Sequence, residues 1–272
     1  MKIADLGQLE GELLVFGGPY SNLEATRAVL AQARTSGAAH IFCTGDVAAY
    51  CADPAATVQE IRQSGAHVIC GNCEVQLASG AEDCGCGFAQ GSACDLLSAR
   101  WYPFAKEALD AGALAWMADL PDWIVFAHAG RRYAMVHGAA SDAARFVWSV
   151  TPEAEFAAEI ARIEAEAGRV DAVIAGHSGI AFAKTVGRHL WINAGVIGMP
   201  PHDGRAQTEY ARLSPRGDLS FHRLAYDAPA AAAAMRAKGL PEGYALALTT
   251  GVWPSEDVLP APLRRAQSLA SG

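Results

Sequence analysis

LLVFGGPYSNLEA, residues 13–25, reads as a strand, a tight glycine turn and a helix start. Leu13 to Phe16 form a short apolar run, and Gly17, Gly18 and Pro19 stop it. Ser21 to Glu24 spell S-x-x-E, a capping box, after which Val29 and Leu30 continue an amphipathic helix. A turn at the carboxyl end of a strand is where ligand sites form in open α/β sheets. This one carries no acid, histidine or lysine. Two readings stand: the backbone N–H groups of Gly17 and Gly18 contact a phosphate at the helix N-terminus, or the glycines only permit the turn.

The same rhythm runs outward from this segment. Apolar runs rich in β-branched and aromatic residues lie at 13–16, 40–43, 67–70, 123–127, 133–136, 172–175, 189–193, 208–213 and 219–224. Helical patterns separate several of them. The clearest starts at Thr151-Pro152, places Phe156, Ile160 and Ile163 on one face and ends at Gly168. The first half predicts parallel βαβ units, and the last strands predict antiparallel hairpins. A domain over residues 1–225 is expected, with a Gly/Cys-rich and helical insertion at about 76–120. Residues 226–272 read as a helical C-terminal extension packed on it.

Composition bounds the function. The chain has 272 residues, is 51% hydrophobic and carries a formal net charge of −8. That charge argues against a nucleic-acid polymer as partner, which calls for a basic face. No apolar run reaches the length of a membrane span, and no basic segment followed by an apolar one marks an export signal. A cytoplasmic protein is expected. Its seven cysteines are expected to be reduced thiols rather than a disulfide framework.

Chemistry-bearing residues follow the strands in order. The runs lead into Thr44-Gly45-Asp46, Gly71-Asn72-Cys73-Glu74, His137-Gly138, Gly176-His177-Ser178-Gly179 and Asn193-Ala194-Gly195. Each alone is weak, because a buried histidine is usually a core residue and Gly-Asp is usually a turn. The ordered set G-D, G-N, H-G, G-H, N-x-G is specific.

This set resembles the calcineurin-like metallophosphoesterase superfamily, and within it the small bacterial phosphodiesterases. The resemblance runs from Phe16 to Leu224. It implies an α/β (α+β) fold built as a four-layer α/β/β/α sandwich of two mixed sheets. It also implies a metal-dependent phosphoesterase that acts on a small phosphorylated metabolite or nucleotide. A non-catalytic protein binding such a ligand on the same fold is the alternative. In the family two divalent ions clamp the transferred phosphoryl group. Carried over residue by residue, the bridging acid corresponds to Asp46. The amide oxygen on the second ion corresponds to Asn72, and its imidazoles to His137 and His177. Asp46 and His137 are the candidate catalytic residues. The three ligands private to the first ion are missing: they fall on Gly18, Tyr20 and Gly179. One divalent ion (Mn, Fe, Zn or Mg) is therefore expected, on Asp46, Asn72, His137 and His177.

Gly17, Gly18, Tyr20 and Asn22 form the candidate substrate-binding corner. Tyr20 either packs there, binds metal as a phenolate or offers a stacking face. The stretch AEDCGCGFAQGSACD could rebuild the first site through Cys84 and Cys86, with Glu82, Asp83, Cys94 and Asp95 nearby, or it is a surface loop with free thiols. Its Cys spacing matches no standard zinc motif. His202 and Asp203 read as a solvated turn, Arg131 and Arg132 as a hairpin turn, and His128 as structural.

Overall fold

The computed structural model describes residues 1–265; the last seven positions of the expected C-terminal extension, 266–272, lie outside the described residues. The opening segment forms β2 (Leu13–Phe16) and α1 (Leu23–Ser36). It is followed by β3 (His40–Cys43), α2 (Pro54–Gln63), β4 (His67–Val68) and α3 (Asn72–Ser79). β2, β3 and β4 pair in parallel, as alternating strand–helix units must. The chain returns to this sheet late, through the antiparallel hairpin of β10 (Thr208–Leu213) and β11 (Leu219–Leu224). β10 lies antiparallel to β2, so the five-stranded sheet runs β11-β10-β2-β3-β4.

A second, six-stranded mixed sheet holds β1 (Ile3–Leu9), β5 (Trp123–His128), β6 (Arg131–Met135), β7 (Ala172–Ala175), β8 (Phe182–Val186) and β9 (His189–Asn193). Its order is β1-β5-β6-β7-β9-β8. The reading of the sequence overlooks β1 and β8. Both are edge strands, and neither forms an apolar run: β1 carries exposed residues and a register shift between Asp5 and Gln8, and β8 alternates with solvent-facing positions. Only two residues of the run at 67–70 pair as a strand. The hairpin from β5 to β6 turns at Ala129-Gly130, both at positive φ (49° and 76°), as a two-residue turn matching strand twist requires. Arg131 and Arg132 therefore open β6 rather than form the turn.

The two sheets face each other across one apolar layer that includes Leu13, Val15, Phe42, Phe126, Tyr133 and Ile174. The other face of the five-stranded sheet is covered by α1, α2, α3, α4 (Ala93–Ala108), α5 (Ala111–Asp119), α7 (Ala228–Ala237) and α8 (Glu242–Thr250). The other face of the six-stranded sheet is covered by α6 (Glu153–Ala167), through Phe156, Ile160 and Ile163. This is the four-layer α/β/β/α sandwich of two mixed sheets. Among the described residues no helix is long and apolar enough to cross a membrane. Beyond α8 the chain runs as a strap, residues 251–265, with one 3-10 turn at Ala261–Leu263.

Phe126 stacks on Phe42 at 4.9 Å and on Tyr133 at 5.1 Å between ring centroids, bridging the sheets. Phe126→Ala is expected to cost about 3–5 kcal/mol, read from denaturant unfolding. A loss below about 1 kcal/mol would show that this stack does not join the layers.

Candidate metal centre

The site forms where strand ends of both sheets meet. β3 delivers Asp46, β4 leads to Asn72 at the start of α3, β6 leads to His137 and β7 leads to His177. The G-D and G-N turns press together because neither glycine has a side chain. A Cβ on Gly45 would stand 2.6 Å from Gly71 N, and one on Gly71 would stand 2.4 Å from Asp46 Oδ1. Glu74 locks this contact. Its fully buried carboxylate accepts from Asp46 N and Val47 N, both at 2.7 Å, and from Gly71 N at 2.9 Å. Asp46 is thereby held at φ 58°, a left-handed conformation that a non-glycine residue adopts only under constraint. The Cys73 N–H, in the first turn of α3, donates to Asp46 Oδ1 at 3.1 Å.

The donor atoms then converge. His137 Nδ1 lies 2.5 Å from the Thr44 carbonyl. A carbonyl only accepts, so Nδ1 carries the proton and Nε2 presents the lone pair of the neutral ring. That Nε2 lies 3.1 Å from Asn72 Oδ1, 3.2 Å from His177 Nδ1 and 3.1 Å from Asp46 Oδ2. The Asn72 amide is oriented by its Nδ2, which donates to the Cys84 carbonyl at 3.0 Å and meets Cys86 Sγ at 3.4 Å. Asp46, His137 and His177 offer ligand atoms all within 4.8 Å of one another, and all three are buried. A carboxylate oxygen, an amide oxygen and two imidazole nitrogens thus point at one spot. Such a set of acceptors fits a divalent ion. The titration behaviour reports the same crowding. Burial acts to raise the Asp46 pKa, but His137 and His177 beside it more than offset this and hold it well below the carboxylate range. For His137, burial acts to lower the pKa, and the Asp46 charge with the Thr44 contact outweighs it. Burial and the neighbouring His137 together lower that of His177.

The opposite half of the site departs from expectation. Gly17 N donates to Gly195 O at 2.9 Å and Gly18 N to Gly45 O at 3.1 Å, so neither N–H is free to cradle a phosphate. Asn22 is a helix cap rather than a ligand-binding residue: its Oδ1 accepts from Ala25 N and its Nδ2 donates to Gly198 O, each at 3.1 Å. Tyr20 lies over Gly18, where an added Cβ would meet ring atom Cζ at 2.5 Å. Gly179 is covered likewise by Trp253 of the C-terminal strap, with indole carbon Cζ2 3.5 Å from its Cβ position. Two of the three positions lacking first-ion ligands are thus walled by aromatic rings, and the third is itself Tyr20.

Cys84 and Cys86 are buried and paired with each other, so the expectation of reduced thiols fails at these two positions and holds for the other five cysteines. Cys94 is a free, buried thiol. His202 is no solvated turn: it is buried, takes the Trp253 backbone N–H on Nδ1 at 2.8 Å, and pairs with Glu256 through Nε2 at 2.7 Å, fixing the strap. His128 is structural, set between the carbonyls of Leu9 and Ser214.

A cavity opens beside the donor cluster. Asp46 and His177 stand at its floor, and its walls include Tyr20, Tyr50, Phe88, Phe146, Tyr244 and Trp253. Sequence reasoning assigned no role to five of these six. Phe88 and Trp253 come from segments without periodic pattern, and no local signal marks them. Glu74 was findable, since G-x-x-E at a helix start is a capping pattern.

With the fold and the donor set in place, comparison with known proteins agrees. Residues 13–217 match the model of the calcineurin-like phosphoesterase superfamily domain, and the chain belongs to that superfamily. The fold is similar to the crystal structure of a metallophosphoesterase from Sphaerobacter thermophilus, at 20% identity and TM-score 0.69 over 90% of this chain and 100% of that one. It is also similar to a hypothetical protein from Pyrococcus horikoshii OT3, at 16% identity and TM-score 0.73 over 89% of this chain and 99% of the other. No curated protein sequence matches the chain.

Glu74→Gln tests the scaffold. The amide leaves one oxygen where two accept, so at least one buried N–H loses its partner, at about 1–3 kcal/mol. A lower melting temperature and Mn²⁺ or Zn²⁺ binding weakened about 10–100-fold are expected. Unchanged metal titration curves would show that Glu74 does not position Asp46.

Proposed function

We propose that this member of the calcineurin-like phosphoesterase superfamily holds one divalent ion on Asp46, Asn72, His137 and His177 and hydrolyses a small phosphorylated molecule there. One observation carries the reading. Asn72 Oδ1, His177 Nδ1 and Asp46 Oδ2 converge on His137 Nε2, four donor atoms from four strand ends, while the positions of the first ion's private ligands are glycine, tyrosine and glycine, packed under aromatic rings. The retained half is complete and buried. The other half presents two glycines and a buried Tyr20 whose phenol burial keeps protonated.

A divalent ion bound there supplies Lewis acidity: it polarises a phosphoryl oxygen and lowers the pKa of water. The chain's own residues set the rest. Thr44 O fixes the His137 tautomer, so that the Nε2 lone pair faces the site. Glu74 and the Cys73 N–H hold the Asp46 carboxylate in place. Phe146, with its ring centroid 4.3 Å from that of His177, shields the second imidazole from water. The mixed oxygen and nitrogen donor set suits Mn, Fe or Zn better than Ca. One ion on these residues would supply half of the two-ion clamp on a transferred phosphoryl group. An ester with a good leaving group is the favoured substrate.

Elemental analysis after loading is expected to give one ion per chain. Asp46→Asn and His137→Ala are expected to bring it to trace levels and abolish turnover, with the far-UV spectrum intact. Turnover retained in either variant would sink the mechanism. Ion and phosphate binding without hydrolysis of any ester would overturn the hydrolase half of the proposal and favour a binding protein.

The triple variant Gly18→Asp, Tyr20→His and Gly179→His restores the family's ligand types. Gly18 and Gly179 sit at φ +35° and +79°, where a side chain brings strain on the order of 1–3 kcal/mol each. The indole of Trp253 also lies against position 179. A lower melting temperature and still one ion per chain are expected. Two ions in this variant would show that the corner is merely vacated.

A further inference from the structure

We propose that the aromatic cavity beside the donor cluster is the subsite for a planar, uncharged ring carried by the phosphorylated ligand. The proposal rests on the one-ion reading above, because the ion fixes the phosphoryl end of the ligand at Asp46 and His177. The wall beyond that floor carries no charged side chain. Its aromatic members are braced rather than loose: Tyr50 meets Tyr20 at 4.7 Å and Tyr244 at 4.9 Å, both in edge geometry. The Trp253 indole N–H donates to Pro200 O at 2.6 Å, and Phe146 packs on His177. Edge-to-face and offset contacts with such a wall favour a flat ring.

The serine hydroxyls of the lining are partly engaged. Ser178 Oγ already donates to Val147 O at 2.6 Å, and Ser255 Oγ accepts from Asp257 N at 3.0 Å. A sugar hydroxyl loses hydration on entering this wall; an ammonium would meet aromatic faces, and 2-aminoethylphosphonate is the probe that separates that occupant from a neutral ring. Burial raises the pKa of the Tyr20, Tyr50 and Tyr244 phenols far above the ordinary value. They remain neutral donors, able to serve an acceptor atom on the ring edge. Size sets the other limit. The space is about 70 Å³, roughly that of five waters at ~10–15 Å³ each. One ring fits that space.

Three non-hydrolysable probes separate the possibilities on the Mn²⁺-loaded full chain: phenylphosphonate, methylphosphonate and 2-aminoethylphosphonate. Calorimetry and Trp fluorescence are both read. Phenylphosphonate is expected to bind at least tenfold more tightly than either of the others and to perturb the fluorescence. Trp253→Ala and Phe146→Leu are each expected to shrink that preference several-fold while the bound ion stays at one per chain. Equal affinity for the three probes, with the ion in place, would overturn the ring subsite and leave the one-ion reading intact. A preference for phenylphosphonate in protein that takes up no ion would support the subsite and overturn the metal reading instead. Should Trp253→Ala unfold the strap, the Phe146→Leu variant and the probe ranking in the wild type still decide the matter.

Discussion

Glu74 accepts three backbone N–H groups from two separate turns with one buried carboxylate. The site depends on this arrangement. Without it, the turn after β3 has no reason to hold Asp46 in a left-handed conformation, and the close approach of Gly45 to Gly71 has nothing to tie it. A buried carboxylate is costly unless fully hydrogen-bonded. Here it is surrounded by donors, though burial and the Asp46 charge still raise its pKa. The strained turn, the capped helix and the Asp46 carboxylate are one unit.

On this base the two halves of the site have diverged. One half keeps four acceptor atoms at a spacing that suits a cation, with the His137 tautomer set by a main-chain carbonyl. The other half is packed with aromatic rings. Tyr20 folds over Gly18, and Trp253 reaches over Gly179 from the far end of the chain, anchored through His202 and Pro200. Exchanging a charged ligand set for an apolar wall changes the chemistry on offer. A flat apolar group against such a wall gains burial worth roughly 25 cal/mol per Å².

The C-terminal strap is therefore part of the site's architecture. Its contacts with His202 and with the cavity wall join residues more than fifty positions apart, and its Glu256 makes an ion pair with His202. The loop carrying Cys86 and Phe88 closes the opposite side. Both segments lie outside the strand–helix frame, and together they shape what the cavity admits.

The two-sheet architecture was implied by the resemblance to the calcineurin-like metallophosphoesterase superfamily. The amino-acid sequence by itself determined the strand–helix order and the identity of Asp46, Asn72, His137 and His177 as the residues at strand ends. These follow from local patterns: apolar runs, glycine turns and short motifs fixed in order along the chain. It did not reveal β1 and β8, whose edge positions leave half their residues in water and blur the alternation. Nor did it reveal that the Gly17 and Gly18 N–H groups are taken by Gly195 and Gly45, that Asn22 caps a helix, or that Cys84 and Cys86 pair. Only the tertiary structure placed Tyr20 over Gly18 and Trp253 over Gly179. Which ring fills which gap depends on contacts between segments as far apart as Tyr50 and Tyr244, and packing of that kind leaves no periodic trace in the sequence.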